Sequence, residues 1–268
     1  SRMAQTLGEE LGKTVGYRLR GEAQCSKITK VEVVTEGILI RMIQEDQQLT
    51  GVSTVIFDEF HERTLNADLG LAFCLEMANV LRDDLKILVM SATLEVTAIS
   101  KLMQDAPIVS CEGKSFPVTP KWQTKPVVQD QITEKLIIDV ILEAISENKG
   151  SILVFLPGEG EIIKLASSLI NKVPDNCHVF PLYGRLGFKD QQKAIKPILA
   201  GRKIVLATNV AETSLTIEGI ETVIDSGLSK RSIYDPNSGM ARLVTQKISK
   251  AEASQRMGRA GRLHPGVC

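Results

Sequence analysis

Residues 55–63, VIFDEFHER, set two adjacent carboxylates, Asp58 and Glu59, and an imidazole, His61, directly behind three bulky apolar residues. An apolar run of that kind reads as a buried strand, and an open parallel sheet binds ligands where its strands end at the carboxyl edge. One carboxylate at such an edge suits Mg²⁺ and its waters; a second beside it can orient or deprotonate an attacking water. This is the acidic half of a nucleotide-hydrolysing site. The same residues also fit a polar strand end leading into a helix, because acids favour helix starts.

A triphosphate also needs a cradle, G-x-x-x-x-G-K-[ST] behind a strand. Two stretches imitate it. Gly12-Lys13-Thr14 would need a glycine at Leu7, and residues 1–11 have a helical pattern that leaves no room for the strand. Gly113-Lys114-Ser115 would need a glycine at Ile108, and Phe116-Pro117 behind it cannot open a helix. The chain therefore carries the acids without the cradle, and truncation upstream of Ser1 is the expected reason.

Three further stretches could do chemistry. Ser91-Ala92-Thr93 sets small hydroxyls behind the strand expected at 86–90. Residues 207–217, ATNVAETSLTI, are rich in the hydroxyl and amide groups that bond phosphate or sugar oxygens; a capped helix and turn explains them equally well. Residues 255–262, QRMGRAGR, place Gln255, Arg259 and Arg262 on one face at helical spacing, with two glycines that allow close backbone approach. Arginines aimed at a phosphate would supply the charge stabilisation of an arginine finger; a solvated basic face is the alternative.

The elements that must position these groups alternate. Strands are expected at 14–19, 30–34, 54–57, 86–90, 108–110, 152–156, 179–182, 203–207 and 221–225, with helices at 36–47, 65–81, 129–148, 159–172 and 188–199. Such alternation predicts α/β architecture with parallel sheets covered on both faces. At 268 residues the chain is long enough for about two domains, and the Gly/Pro-rich stretch 112–126 breaks the series, setting a boundary near 116. Lys plus Arg equals Asp plus Glu, 32 each, so net charge favours no polyanionic partner. The five cysteines show no metal-ligand spacing and no apolar run is long enough to span a membrane, so a reduced, cytoplasmic protein is expected.

Taken in order, these segments resemble the DEAH-box RNA helicases of superfamily 2, of the bacterial HrpB type, whose acidic motif reads DEFH as at Asp58–His61. Thr35-Glu36-Gly37 is similar to motif Ib, Asp58–His61 to motif II, Ser91–Thr93 to motif III, Phe155–Gly158 to motif IV, Thr208–Ile217 to motif V and Gln255–Arg262 to motif VI. The resemblance implies two RecA-like domains of the P-loop NTPase type with mostly parallel sheets, residues 1–116 and 117–268, both incomplete. It implies ATP and Mg²⁺ as cofactors, gripped in a cleft between the lobes, and RNA as partner, translocated or unwound by ATP hydrolysis. Asp58, with Glu59, would hold the metal, Glu59 would activate water, and His61 would link to motif VI. Gln255, Arg259 and Arg262 would face the γ-phosphate, with Arg2, Thr216 and Asp225 also at the nucleotide. Thr35, Gly37, Gly158, Thr208, Asn209 and Thr213 would line RNA, and Ser91 and Thr93 would couple the two events. Ile195 stands where the family often has a phenylalanine against the base. Residues 230–247 resemble the family's strand-separating hairpin. No protein partner is indicated. Lacking a cradle, residues 1–268 are expected to be inactive alone; a non-catalytic nucleic-acid-binding or interaction module is the alternative, and a DNA translocase is disfavoured by His61 and the motif V sequence.

Overall fold

The computed structural model describes all residues except 1, 92–95, 112, 114–115, 124–133 and 213–216. The chain divides into two compact units, Ser1–Ser110 and Cys111–Cys268.

The first unit holds α1 (Arg2–Thr6), β1 (Val15–Leu19), β2 (Glu22–Gln24), β3 (Val31–Val34), α2 (Glu36–Glu45), β4 (Thr54–Phe57), α3 (Leu65–Val80), β5 (Lys86–Val89) and α4 (Val96–Leu102). β1 lies between β2, antiparallel to it, and β3, parallel to it; β4 and β5 form a separate parallel pair. The side-chain period of a strand makes β4 bury Val55 and Phe57 while Thr54 and Ile56 face outward. Val55 and Phe57 pack with Leu39 and Ile43 of α2 and with Leu71, Cys74 and Met77 of α3. Thr64 caps α3 by accepting the Ala67 N–H through its hydroxyl, 3.1 Å, which fixes where the chain turns after the acidic segment.

The second unit holds β6 (Val118–Thr119), α5 (Glu134–Glu147), β7 (Ser151–Phe155), α6 (Glu159–Leu169), β8 (Cys177–Leu182), α7 (Phe188–Ile195), β9 (Arg202–Ala207), β10 (Ile220–Asp225), β11 (Leu228–Asp235), β12 (Met240–Lys247), α8 (Lys250–Gly258) and β13 (Gly266–Val267). Six strands in the order β6-β13-β10-β7-β9-β8 form an all-parallel sheet. Its central strands are apolar on both faces, as a covered parallel sheet requires. Ile152, Val154, Ile204 and Leu206 face α5 and α6, while Leu153, Phe155, Val205 and Ala207 face Ala194 of α7 and Ala260. β11 and β12 form a separate antiparallel hairpin, paired from Leu228↔Lys247 to Asp235↔Met240.

Several expectations need correction. Residues 108–110 form no strand, and Val109 is 93% exposed, because no partner strand meets them among the described residues. α7 ends at Ile195 rather than 199, since Pro197 bars the residue before it from helical geometry. α8 stops at Gly258 with Arg259 as its C-cap, so Arg262 lies beyond the helix and does not share a helical face with Gln255 and Arg259. The Phe116 N–H donates to Gly261 O inside the second unit.

Candidate active site

In the first unit the acidic segment leaves the carboxyl end of β4, which pairs in parallel with β5. Two buried rings pin it. Phe57 and Phe60 meet edge to face, 6.1 Å between centroids at 79°, and the Phe60 N–H donates to Met90 O at 3.0 Å. Between those anchors Asp58 and Glu59 are thrust outward: Asp58 is exposed and Glu59 half-buried. Glu59 holds φ +51°, ψ +34°, a left-handed conformation that costs a side-chain-bearing residue roughly 1–2 kcal/mol. Backbone strain of this kind concentrates where geometry serves a site.

Asp58 Oδ1 accepts the Glu59 N–H at 2.9 Å, and Glu59 Oε2 lies 3.5 Å from Nε2 of His61, whose side chain is 5% exposed. Arg63 closes the segment with a fork to Asp68 at 3.0 and 3.1 Å and a contact over the Phe60 ring. Mg²⁺ takes one or two protein carboxylates and completes its shell with water and phosphate oxygens. An exposed Asp58 with Glu59 beside it fits that demand, and among the described residues no group of three ligands forms a closed metal cage. Thr35 and Gly37 are exposed at the start of α2, and Ser91 is half-buried next to Met90. Arg2 is exposed on α1. Thr93, Thr213 and Thr216 lie outside the described residues.

In the second unit the expected residues divide by burial. Thr208 follows β9 directly, its N–H donating to Leu182 O at 3.2 Å, and Asn209 beside it is exposed. Gly158 is buried: a Cβ there would lie 2.7 Å from Lys230 Nζ and 2.8 Å from Glu161 Oε2, so the glycine admits the Lys230–Glu161 pair. Gly261 also serves internal packing, because a Cβ would sit 2.5 Å from Phe116 O. Gln255 and Arg262 are half-buried. Arg259 is only 8% exposed and donates through Nη2 to Glu212 O.

The centre of this region is a residue to which sequence reasoning gave no role. Arg256, 1% exposed, donates to Glu212 Oε2 at 3.1 Å, Asp225 Oδ1 at 2.9 Å and Leu228 O at 3.2 Å, and lies over the Phe155 ring at 4.8 Å. Asp225, expected at the nucleotide, is thus engaged by Arg256 and by the Gly227 N–H. Burial pushes the Glu212 carboxyl up from its ordinary range, and the Arg256 guanidinium opposes that shift. The available signal was Arg256's position, one residue from Gln255 and so off the face that Gln255 shares with its i+4 neighbour.

Comparison with known families now bears on this geometry. Residues 2–102 match the family model for DEAD/DEAH box helicases, and residues 134–264 match the helicase conserved C-terminal domain. Both units are thus similar to parts of the DEAD/DEAH box helicases. It is 48% identical over 267 residues, 99% of its length, to the ATP-dependent RNA helicase HrpB of Escherichia coli, and 40% identical over 270 residues to the HrpA homologue of Haemophilus influenzae. The chain spans about a third of the first, 33%, and 20% of the second. Two crystal structures of E. coli HrpB superpose with TM-scores of 0.92 and 0.88 at 47% identity, each covering 99% of this chain and 34% and 33% of theirs. Both units therefore have the mixed α/β, RecA-like architecture of those helicase structures. No helix among the described residues is long and apolar enough to cross a membrane.

Proposed function

We propose that these residues belong to an ATP-dependent RNA helicase that couples Mg²⁺-dependent ATP hydrolysis to translocation on RNA or its unwinding in the cytoplasm. The observation that carries this reading is the acidic turn: two carboxylates at a parallel strand's carboxyl edge, held by buried Phe57 and Phe60, with Glu59 3.5 Å from His61. Asp58, with Glu59, would hold Mg²⁺, which when bound supplies positive charge to the phosphate oxygens. Glu59 orients the attacking water and takes its proton, and His61 sets the direction of the Glu59 carboxylate. Gln255, Arg259 and Arg262 meet the γ-phosphate charge, with Thr216 and Asp225 supporting the nucleotide and Arg2 against the base. Thr35, Gly37, Thr208, Asn209 and Thr213 bind the RNA backbone, a positioning contact that carries no sequence readout, and Gly158 shapes that surface from beneath. Ser91 and Thr93 couple the two events. The domain boundary proposed from sequence is residue 116.

The test is Glu59→Gln in the full-length protein. RNA-stimulated ATP turnover should fall by at least a hundredfold while nucleotide binding persists; turnover that survives the change, or that ignores RNA, would sink the reading. Residues 1–268 contain no G-x-x-x-x-G-K-[ST], so the β- and γ-phosphates lack their main ligands and this stretch alone should show no ATPase. Turnover above a Glu59→Gln control in the purified stretch would refute that part.

A further inference from the structure

Arg256 is the least exposed of the buried charged side chains and touches three elements that carry the proposed chemistry. Glu212 ends the turn that begins at Thr208 and Asn209, its N–H donating to Asn209 O at 2.9 Å. Asp225 ends β10, and Leu228 opens the hairpin of β11 and β12. Arg256 itself rides on α8, three residues before Arg259. The guanidinium is planar and forked, so it satisfies two carboxylates and a carbonyl only when all three elements stand in one arrangement.

Two further ion pairs make the hairpin part of the same body. Arg231 Nη2 lies 2.6 Å from Glu252, in the first turn of α8, and Lys230 Nζ lies 2.8 Å from Glu161, in the first turn of α6 behind Gly158. Glu252 also closes the capping box with Ser249, which fixes the start of α8 against that contact. The arginine-bearing helix, the Thr208 turn and the base of the hairpin are cross-linked around one buried cation. A charge so deeply buried is kept at a desolvation cost that a well-packed apolar residue would avoid.

We propose that Arg256 is a positioning residue that couples the phosphate-facing end of α8 to the RNA-facing Thr208–Asn209 turn and to the hairpin, touching neither nucleotide nor RNA itself. This rests on the helicase reading above. Loss of its fork should leave ATP hydrolysis running while strand separation no longer follows it.

The experiment uses the full-length protein and measures ATP turnover and RNA duplex unwinding in the same reaction. Wild type and Glu59→Gln come first: if turnover is not RNA-stimulated and Glu59-dependent, the helicase reading fails and this proposal falls with it. With turnover established, two variants test the coupling alone. Arg256→Lys keeps the charge and loses the fork; Arg256→Met with Glu212→Gln removes the buried pair together. We expect RNA-stimulated kcat within threefold of wild type, KM for ATP within twofold, and duplexes separated per ATP reduced at least fivefold in both variants. A parallel fall of hydrolysis and unwinding, an unchanged ratio between them, or loss of the fold in both variants would overturn the proposal and leave Arg256 a stabilising residue only.

Discussion

Replacing Lys203 with methionine should make the chain's stability depend on pH differently from wild type, with a sign that the structure fixes. Lys203 lies on β9, 2% exposed, with its ammonium donating to Ala194 O and Lys196 O at the end of α7 and standing 5.3 Å from the Phe180 ring centroid. Burial pushes its pKa down to about 8 from 10.5, against the opposing charge of Glu218. Below pH 8 the lysine is protonated in both folded and unfolded chains, and the folded state carries the cost of burying the cation. Between pH 8 and 10.5 the folded lysine gives up its proton while the unfolded one keeps it, so wild-type stability rises relative to the methionine variant. At about 1.4 kcal/mol per pKa unit the rise is at most about 3 kcal/mol, complete above pH 10.5 and lost as pH falls through 8. The two carbonyls favour the ammonium and trim that figure. At pH 7 the variant leaves both carbonyls without their donor, which costs about 1–3 kcal/mol for each orphaned group, offset by relief of the buried charge. Urea denaturation followed by far-UV ellipticity at pH 7, 8, 9, 10 and 10.5 measures the gap between the two proteins. A wild-type-minus-variant stability difference that stays constant or falls as pH rises over that range would refute the buried-ammonium argument.

The two glycines of residues 255–262 should part company. Gly261→Ala drives a Cβ to 2.5 Å from Phe116 O and 2.7 Å from Val118 Cγ2 and should destabilise by about 1–3 kcal/mol. Gly258→Ala meets nothing within 4 Å at the last residue of α8 and should be neutral or stabilising by up to about 1 kcal/mol. Melting temperatures that move alike would contradict this. Native-state alkylation followed by mass spectrometry should label exposed Cys111 first and spare Cys74, which is fully buried with its thiol pushed up to about 11. Rapid labelling of Cys74 without denaturant would show that its packing is wrong.

How much of this could be seen in the sequence follows from how local each feature is. β7 and β9 are recognisable because a covered parallel strand is apolar at successive positions, and the placement of Asp58 and Glu59 after β4 because an acid behind such a strand surfaces at the carboxyl edge. β6 and β13 are two-residue pairings that carry no periodicity; they exist because Gly266 and Val267 find Val118 and Thr119 across the sheet edge. Residues 108–110 have the apolar character of a strand and meet no partner strand among the described residues. The end of α8 was misjudged because i, i+4, i+7 spacing describes a face only while the helix lasts, and this one stops at Gly258. The Arg256 network was hidden for another reason: its carboxylate partners lie 44 and 31 residues away, so only the fold brings them together.

The three arginines of that segment consequently do different work despite near-identical spacing. Arg256 is surrounded by its own carboxylates, Arg259 is 8% exposed and bonded to the backbone of the same Glu212, and Arg262 is half-buried at the outer end. Electrostatic catalysis gains most from donors already held in place when charge develops, because reorienting them during the reaction would consume the stabilisation they offer. A flexible arginine on a frayed helix end could not meet that requirement. Here Glu212 supplies the connection, holding Arg256 with its carboxylate and Arg259 with its carbonyl, so the outer guanidinium groups start from a fixed base rather than from solvent. Because Arg259 is held by the Glu212 carbonyl and not by Arg256, loss of the Arg256 fork should leave the proposed γ-phosphate contacts standing, and damage at Arg256 should surface in duplex separation rather than in ATP turnover.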